Sequence, residues 1–141
     1  MSDRHTDIQR KQNMQAVKSV SKLEDKVASE LWRRGGLRFR RNVKSLYGKP
    51  DIAIKKYKTV IFIDSCFWHF CEMHGSIPKT NSDFWESKLK RNQQRDFEVT
   101  SYYVENNWNI LRVWEHELEI DFYGSIGKIE RFIRVAVKTF M

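Results

Sequence analysis

The sequence of 141 residues has few cysteines, few prolines and no long apolar run. Two cysteines, Cys66 and Cys71, are too few for a disulfide-stapled secreted domain, so we expect reduced thiols and a cytoplasmic location. No segment approaches the ~18 apolar residues of a membrane span, and no apolar stretch follows Met1, so we expect no membrane segment and no secretory signal. Hydrophobic residues still make up 40% of the chain, which is enough for one compact core.

Positive charge is concentrated in the first third of the chain. Residues 1–50 hold 13 Lys and Arg against 5 Asp and Glu, whereas residues 51–141 hold 13 of each sign. This one-sided excess favours a polyanionic partner, most often nucleic acid, although anionic membranes also attract basic segments. We predict a basic N-terminal arm that contacts DNA over residues 1–20 and a folded domain over residues 21–141.

The order of the apolar patterns predicts a small mixed α/β domain with helices packed on one sheet. Ser21 and Glu24 have the spacing of a capping box, and apolar residues at helical spacing follow until Gly35. The continuously apolar strand over residues 59–64 should be central and covered on both faces. The other predicted elements are helices over residues 7–18, 81–106 and 124–138, and strands over residues 39–43, 51–54 and 108–114.

Cysteine and histidine residues form a candidate zinc site. Cys66, Cys71 and His74 lie within nine residues, and thiolate and imidazole are preferred zinc ligands. A structural site needs four ligands, and His116 follows a predicted strand that would bring it next to Cys66 if the strand pairs with residues 59–64. The alternative is a pair of buried free thiols with two surface histidines.

Acidic residues at strand ends form a candidate magnesium site. Asp51 opens one predicted strand and Asp64 closes the next, an arrangement in which many nucleases hold Mg²⁺ beside a phosphate. Glu24 would be a third carboxylate, unless it serves only the capping box. No lysine follows Asp64 in the usual acid-x-Lys spacing, so either the site is inactive or another group activates water. His69 is the predicted general base, because a neutral imidazole accepts protons near pH 7.

Several separated motifs between residues 8 and 118 together resemble the very-short-patch (Vsr) mismatch repair endonucleases. These motifs are Lys11-Gln12-Asn13-Met14, Gly48-Lys49-Pro50-Asp51, Cys66-Phe67-Trp68-His69, Phe84-Trp85, Asn92-x-x-Arg95-Asp96 and Trp114-Glu115-His116. The resemblance implies a restriction-endonuclease-like fold and nicking of one DNA strand on the 5′ side of the T in a T:G mismatch. It also implies a bacterial protein that acts on double-stranded DNA, as a monomer, alongside other mismatch-repair proteins.

The resemblance implies roles in catalysis as well. Asp51 and the backbone carbonyl of Ile63 would hold Mg²⁺, with two ions expected, and Glu24 would hold metal-bound water. His69 would be the general base, supported by Asp96. Two positions depart from the family pattern. Asp64 stands where some members have a histidine and would be a further metal ligand, and His116 stands where other members have a zinc-binding cysteine.

DNA contacts are the last implication of the resemblance. Phe67 and Trp68 would enter the base stack from one groove and Met14 from the other, with zinc holding the loop that presents the aromatic pair. Further DNA contacts are expected from the polar side chains of the matched motifs, which are Lys11, Asn13, Asn92 and Arg95.

Two other functions stay open at this point. One is a zinc-stabilised DNA-binding protein without catalysis, and the other is a nuclease of the same fold with a different DNA target. Asp51, His69 and Asp96 together favour the enzyme, because binding alone needs basic residues and no cluster of acids facing phosphate. Ordinary explanations also exist for single residues, since Phe67 and Trp68 can be core aromatics and Met14 a packing residue.

Overall fold

The structure is a computed structural model that describes residues 21–35, 38–66, 77 and 79–140. Its centre is a four-stranded sheet in the order β1-β2-β3-β4. β1, β2 and β3 pair antiparallel, and β4 pairs parallel with β3, so the sheet is mixed. The strands are β1 (Arg40–Arg41), β2 (Ile52–Ile54), β3 (Thr59–Asp64) and β4 (Asn109–Trp114). The helices are α1 (residues 21–33), α2 (Ser82–Glu105), α3 (Glu115–Ile120) and α4 (Phe122–Thr139).

Strand β3 is central, and all six of its residues are buried. Alternate side chains point to opposite faces of a strand, so β3 serves two apolar clusters. On one face Ile61 and Ile63 pack in a cluster that includes residues of α1, α3 and α4. On the other face Val60 and Phe62 pack against residues of α2. The predicted mixed α/β architecture and the central position of residues 59–64 are therefore confirmed.

Several element boundaries differ from the predictions. The strand predicted over residues 39–43 is only Arg40–Arg41, because Asn42 takes a left-handed backbone (φ +48°) that ends the ladder. The short loop predicted between β2 and β3 is a single 3-10 turn over Lys55–Tyr57. Helix α3 is not among the predicted elements, since half of its six residues are glutamates and it buries only Leu118. The predicted helix over residues 7–18 and the arm over residues 1–20 lie outside the described residues.

In the ranges that the structure describes, no helix combines the length and the apolar composition needed to cross a bilayer.

Candidate active site

An open cavity of about 430 Å³ lies at the C-terminal end of β3, between the start of α1 and the middle of α2. Its walls include seven residues that the sequence analysis placed in the site, and these are Glu24, Asp51, Ile63, Asp64, Asn92, Arg95 and Asp96. Four carboxylates from four different segments thus face one cavity. Lys49, Arg95 and Arg112 are the positively charged residues among its lining. The cavity therefore combines oxygen ligands for a hard cation with basic groups for a phosphate.

Glu24 lines the cavity from α1. The predicted capping box needs a non-helical Ser21, but residue 21 is already helical, so that box does not form as predicted. Ser21 and Glu24 instead share the cavity wall, one turn apart on the same helix face. Of the two roles open to Glu24, the structure favours the one at the cavity.

Asp51 is half-buried and is oriented by β3. Its Oδ2 accepts a hydrogen bond of 2.6 Å from the backbone N–H of Ile63. Its backbone carbonyl accepts a bond of 3.1 Å from the N–H of Asn42, which ties the residue to the loop ahead of it. The carboxylate is therefore fixed at the strand end from two directions.

Helix α2 supports the loop that leads to Asp51. The hydroxyl of Tyr103 donates to the backbone carbonyl of Tyr47 in this loop. Burial raises the pKa of Tyr103 to about 12, so the phenol keeps its proton and stays a donor at physiological pH. One residue further on, Gly48 lies against the side chain of Val99. The helix that carries Asp96 thus also sets the position of the loop before Asp51.

Gly48 gives a direct test of this support. Its φ is +76°, and an added Cβ would lie 2.7 Å from Val99 Cγ1, closer than real Cβ contacts. We expect Gly48→Ala to lower the free energy of unfolding by roughly 2–4 kcal/mol, through backbone strain and overpacking together. Urea unfolding measures this loss.

Gly35 provides the matched control for that substitution. Its φ is +82°, but the nearest atom to an added Cβ is 3.9 Å away. Gly35→Ala should therefore lower the free energy of unfolding by about 1–2 kcal/mol, the contribution of backbone strain alone. Equal losses in the two variants would show that the contact between Gly48 and Val99 contributes nothing.

Asp64 is paired with Arg112, a residue of β4 that the sequence analysis did not single out. Arg112 Nη1 lies 2.9 Å from Asp64 Oδ1 and 3.2 Å from Oδ2, and only 4% of the Asp64 side chain is exposed. The same guanidinium donates from Nη2 to the backbone carbonyl of Asp96, at 3.2 Å. The sequence did contain a signal that could have identified Arg112, which is a lone arginine between the apolar residues of a strand. A charge in such a place needs a partner.

Cys66 and His116 meet just beyond the ends of β3 and β4. Asp64 pairs in register with Trp114, so the parallel strands deliver the residue two positions further on from each to the same edge. The distance from Cys66 Sγ to His116 Nδ1 is 3.3 Å. A carboxylate oxygen of Glu117 accepts from the N–H of Trp114 at 2.7 Å and caps the start of α3, which fixes His116. The predicted approach of these two residues is confirmed.

The other predicted site residues lie outside the described part of the chain. Among residues 21–35, 38–66, 77 and 79–140, no group of three or more His, Cys, Asp or Glu side chains has the geometry of a metal site. The predictions for Cys71 and His74 as zinc ligands therefore stay untested, as does that for His69 as the base. The same holds for the predicted DNA contacts of Lys11, Asn13, Met14, Phe67 and Trp68.

Known proteins of one family are similar in sequence to this chain. A sequence profile described as DNA mismatch endonuclease Vsr matches residues 2–74. The chain belongs to the Vsr family of DNA endonucleases. The type II nicking enzyme V.NmeDIP of Neisseria meningitidis serogroup C is 42% identical over 135 residues, which cover 94% of this chain and 90% of that protein. The DNA mismatch endonuclease Vsr of Escherichia coli strain K12 is 36% identical over 116 residues, 82% of this chain and 74% of that protein.

A third relative is the type II nicking enzyme V.HpaIIP of Haemophilus parainfluenzae. It is 41% identical over 116 residues, which cover 79% of this chain and 82% of that protein. Vsr-family membership agrees with the cavity, because a DNA endonuclease needs oxygen ligands and basic groups beside a scissile phosphate. Two of these three relatives are named nicking enzymes and the third is named a mismatch endonuclease.

Proposed function

We propose that this chain nicks one strand of duplex DNA on the 5′ side of the T in a T:G mismatch, using Mg²⁺ and a histidine base. The observation that carries the proposal is the cavity at the end of β3, where Glu24, Asp51 and Asp96 converge with basic groups. A protein that only bound DNA would gain nothing from acids facing phosphate, because like charges repel. The alternative of a non-catalytic zinc protein is therefore disfavoured.

The residues present fit a magnesium ion. Asp51 offers a carboxylate at the cavity, and Oδ2 is already held by the N–H of Ile63. In a strand the N–H and C=O of one residue face the same neighbour, so the Ile63 carbonyl is directed toward the Asp51 side. Bound Mg²⁺ would polarise a phosphoryl oxygen and stabilise developing negative charge. In keeping with the resemblance, we propose two such ions, with Glu24 holding metal-bound water.

His69 is proposed to take the proton of the attacking water. It follows Cys66 by three residues, so the chain leaves the end of β3 beside the cavity shortly before His69. Asp96 is proposed to support His69. It lines the cavity from α2, and a quarter of its side chain is exposed. A carboxylate that accepts the N–H of an imidazole favours the tautomer that can act as a base.

The two described candidate zinc ligands fit a zinc ion. Zn–S and Zn–N bonds of about 2.3 and 2.0 Å at a tetrahedral angle place sulfur and nitrogen about 3.5 Å apart. The observed distance of 3.3 Å between Cys66 Sγ and His116 Nδ1 is close to this value. We propose that Cys71 and His74 complete the site and that zinc holds the loop that follows β3.

DNA recognition is proposed to depend on insertion of side chains at a weak base pair. Phe67, Trp68 and Met14 would separate the bases, while Lys11 and Asn13 contact the DNA from the arm. Asn92 and Arg95 line the cavity, and we propose that they contact the strand that is cut. Opening a base step costs a few kcal/mol and costs least at a mismatch, so insertion itself favours T:G over a paired step.

A nicking assay on two duplexes that differ in a single base pair tests this function. Two end-labelled duplexes of one sequence, one with T:G and one with T:A at the same position, are incubated with Mg²⁺ or with EDTA. We expect one nick, 5′ of the T, only in the T:G duplex and only with Mg²⁺. Equal nicking of both duplexes would indicate a same-fold nuclease with a different target. Binding without nicking on a panel of all mismatches would indicate a non-catalytic protein.

A further inference from the structure

Arg112 connects three elements around the cavity through one guanidinium group. Nη1 donates to the carboxylate of Asp64 at the end of β3. Nε donates to Thr100 Oγ1 at 2.8 Å, and Nη2 donates to the backbone carbonyl of Asp96 at 3.2 Å, both on α2. The guanidinium also lies 4.6 Å from the ring centroid of Phe62. Four contacts in different directions fix this side chain more firmly than a single ion pair does.

Arg112 contacts α2 at the turn that carries the proposed DNA-contacting residues and the proposed support of His69. Asn92, Arg95 and Asp96 lie within one and a half turns of each other on α2, and all three line the cavity. Arg112 holds the backbone of Asp96 itself, and its Nη1 is 4.0 Å from Asp96 Oδ1. The separation between this turn and β3 therefore depends on Arg112.

Asp64 meets the requirements of a counter-ion for that arginine. Its side chain is 4% exposed, and both of its oxygens lie within 3.2 Å of Arg112 Nη1. A cation at the same oxygens would face a guanidinium at close range, which disfavours metal binding there. At Asp51, the described partner of Oδ2 is the uncharged backbone N–H of Ile63.

We infer that Arg112 is a positioning residue for the nicking reaction, and that Asp64 serves as its buried counter-ion and not as a metal ligand. Arg112 acts through α2, by holding Asp96 and its neighbours at the correct distance from Asp51. This inference rests on the proposed nicking activity. It assigns a function to a residue outside the matched motifs and removes Asp64 from the carboxylates available to Mg²⁺.

Arg112→Lys is the first test, because it keeps the charge beside Asp64 and removes the forked contacts to Thr100 and Asp96. We expect kcat on T:G duplex to fall about 10²-fold, the effect of a 1 Å displacement of reacting groups, with KM unchanged. The melting temperature, and DNA binding in EDTA, should stay near wild type. Arg134→Lys is the matched control, since Arg134 pairs with Glu130 on the surface of α4 and does not line the cavity. It should leave kcat unchanged.

Asp64→Asn and the double variant Asp64→Asn/Arg112→Gln test the counter-ion role. Binding of Mn²⁺ to the full-length protein, followed by electron paramagnetic resonance, is the readout that does not need activity. We expect Asp51→Asn to weaken Mn²⁺ binding and Asp64→Asn to leave it unchanged. In unfolding, the double variant should be more stable than Arg112→Gln alone, because it also removes the buried charge of Asp64 that loses its guanidinium in the single variant.

Several results would overturn the inference. An unchanged kcat in Arg112→Lys would remove the positioning role, and loss of Mn²⁺ binding in Asp64→Asn equal to that in Asp51→Asn would make Asp64 a ligand. Additive losses of stability in the double variant would remove the coupling between the two residues. Failure of the proposed function can be told apart from failure of this inference. If the proposed function is wrong, wild-type protein will nick no duplex, while Mn²⁺ binding and stability still report on the Arg112–Asp64 pair.

Discussion

Asp51→Asn is expected to abolish nicking while the protein stays folded and still binds DNA. The amide oxygen of asparagine can accept the 2.6 Å hydrogen bond from the N–H of Ile63, so the local fold has no reason to change. The negative charge is lost, however, and an NH₂ group then occupies the position of the second carboxylate oxygen. Mg²⁺ binds carboxylate oxygens far better than amides, and its contribution to the transition state is several kcal/mol.

The expected loss of rate for Asp51→Asn is therefore roughly 10³-fold or more. Single-turnover nicking of T:G duplex at saturating Mg²⁺ measures it, and a filter-binding assay in EDTA measures DNA affinity. Asp83→Asn is the control, because Asp83 is an exposed carboxylate in the first turn of α2 outside the cavity lining. Activity near wild type in Asp51→Asn would remove this residue from the site.

His116→Ala and His69→Ala are expected to fail in different ways. His116 lies 3.3 Å from Cys66 Sγ, so its removal takes a proposed zinc ligand away. Structural zinc contributes folding energy directly, and a loss of several kcal/mol lowers the Tm of a chain of this size by roughly 10 °C. His69→Ala should keep its zinc and its Tm, and its nicking rate should fall by ~10²–10⁴, the range for a general base.

Zinc content by atomic absorption, Tm by calorimetry and nicking rate are measured on the same protein samples. Wild-type protein treated with a chelator should melt like His116→Ala, which separates the effect of the metal from that of the side chain. Loss of zinc from His69→Ala would mean that the two histidines have exchanged their roles. A normal Tm and zinc content in His116→Ala would remove His116 from the zinc site.

The sequence was most informative where apolar patterning is continuous. Residues 59–64 are all apolar except at their ends, and this run alone predicts a central strand that is covered on both faces. Pairing with the next buried strand then places Cys66 beside His116, a contact between residues 50 positions apart. Two of the family motifs likewise meet at one cavity, which Asp51 lines from the strand end and Asn92, Arg95 and Asp96 line from α2.

Sequence reasoning was weakest where one side chain has two possible partners. The spacing of Ser21 and Glu24 suits a capping box, yet it suits equally a helix that continues through Ser21 and presents both residues to the cavity. Asp64 has the spacing of a nuclease ligand, and the arginine that pairs with it comes from a strand 48 residues later. Such a partner depends on side-chain register across strands, which local patterns do not encode.

The buried side chains of helix α2 lie toward its two ends. Its buried residues are Trp85 and Leu89 in the first half and Val99 and Tyr103 in the second. The stretch between Leu89 and Val99, about 15 Å long, buries no side chain and contains Asn92 and Asp96 at the cavity. Most side chains in this stretch can be exchanged without creating a void in the core, so substitutions there cost little stability. New DNA preferences can therefore evolve in this stretch while the fold stays intact.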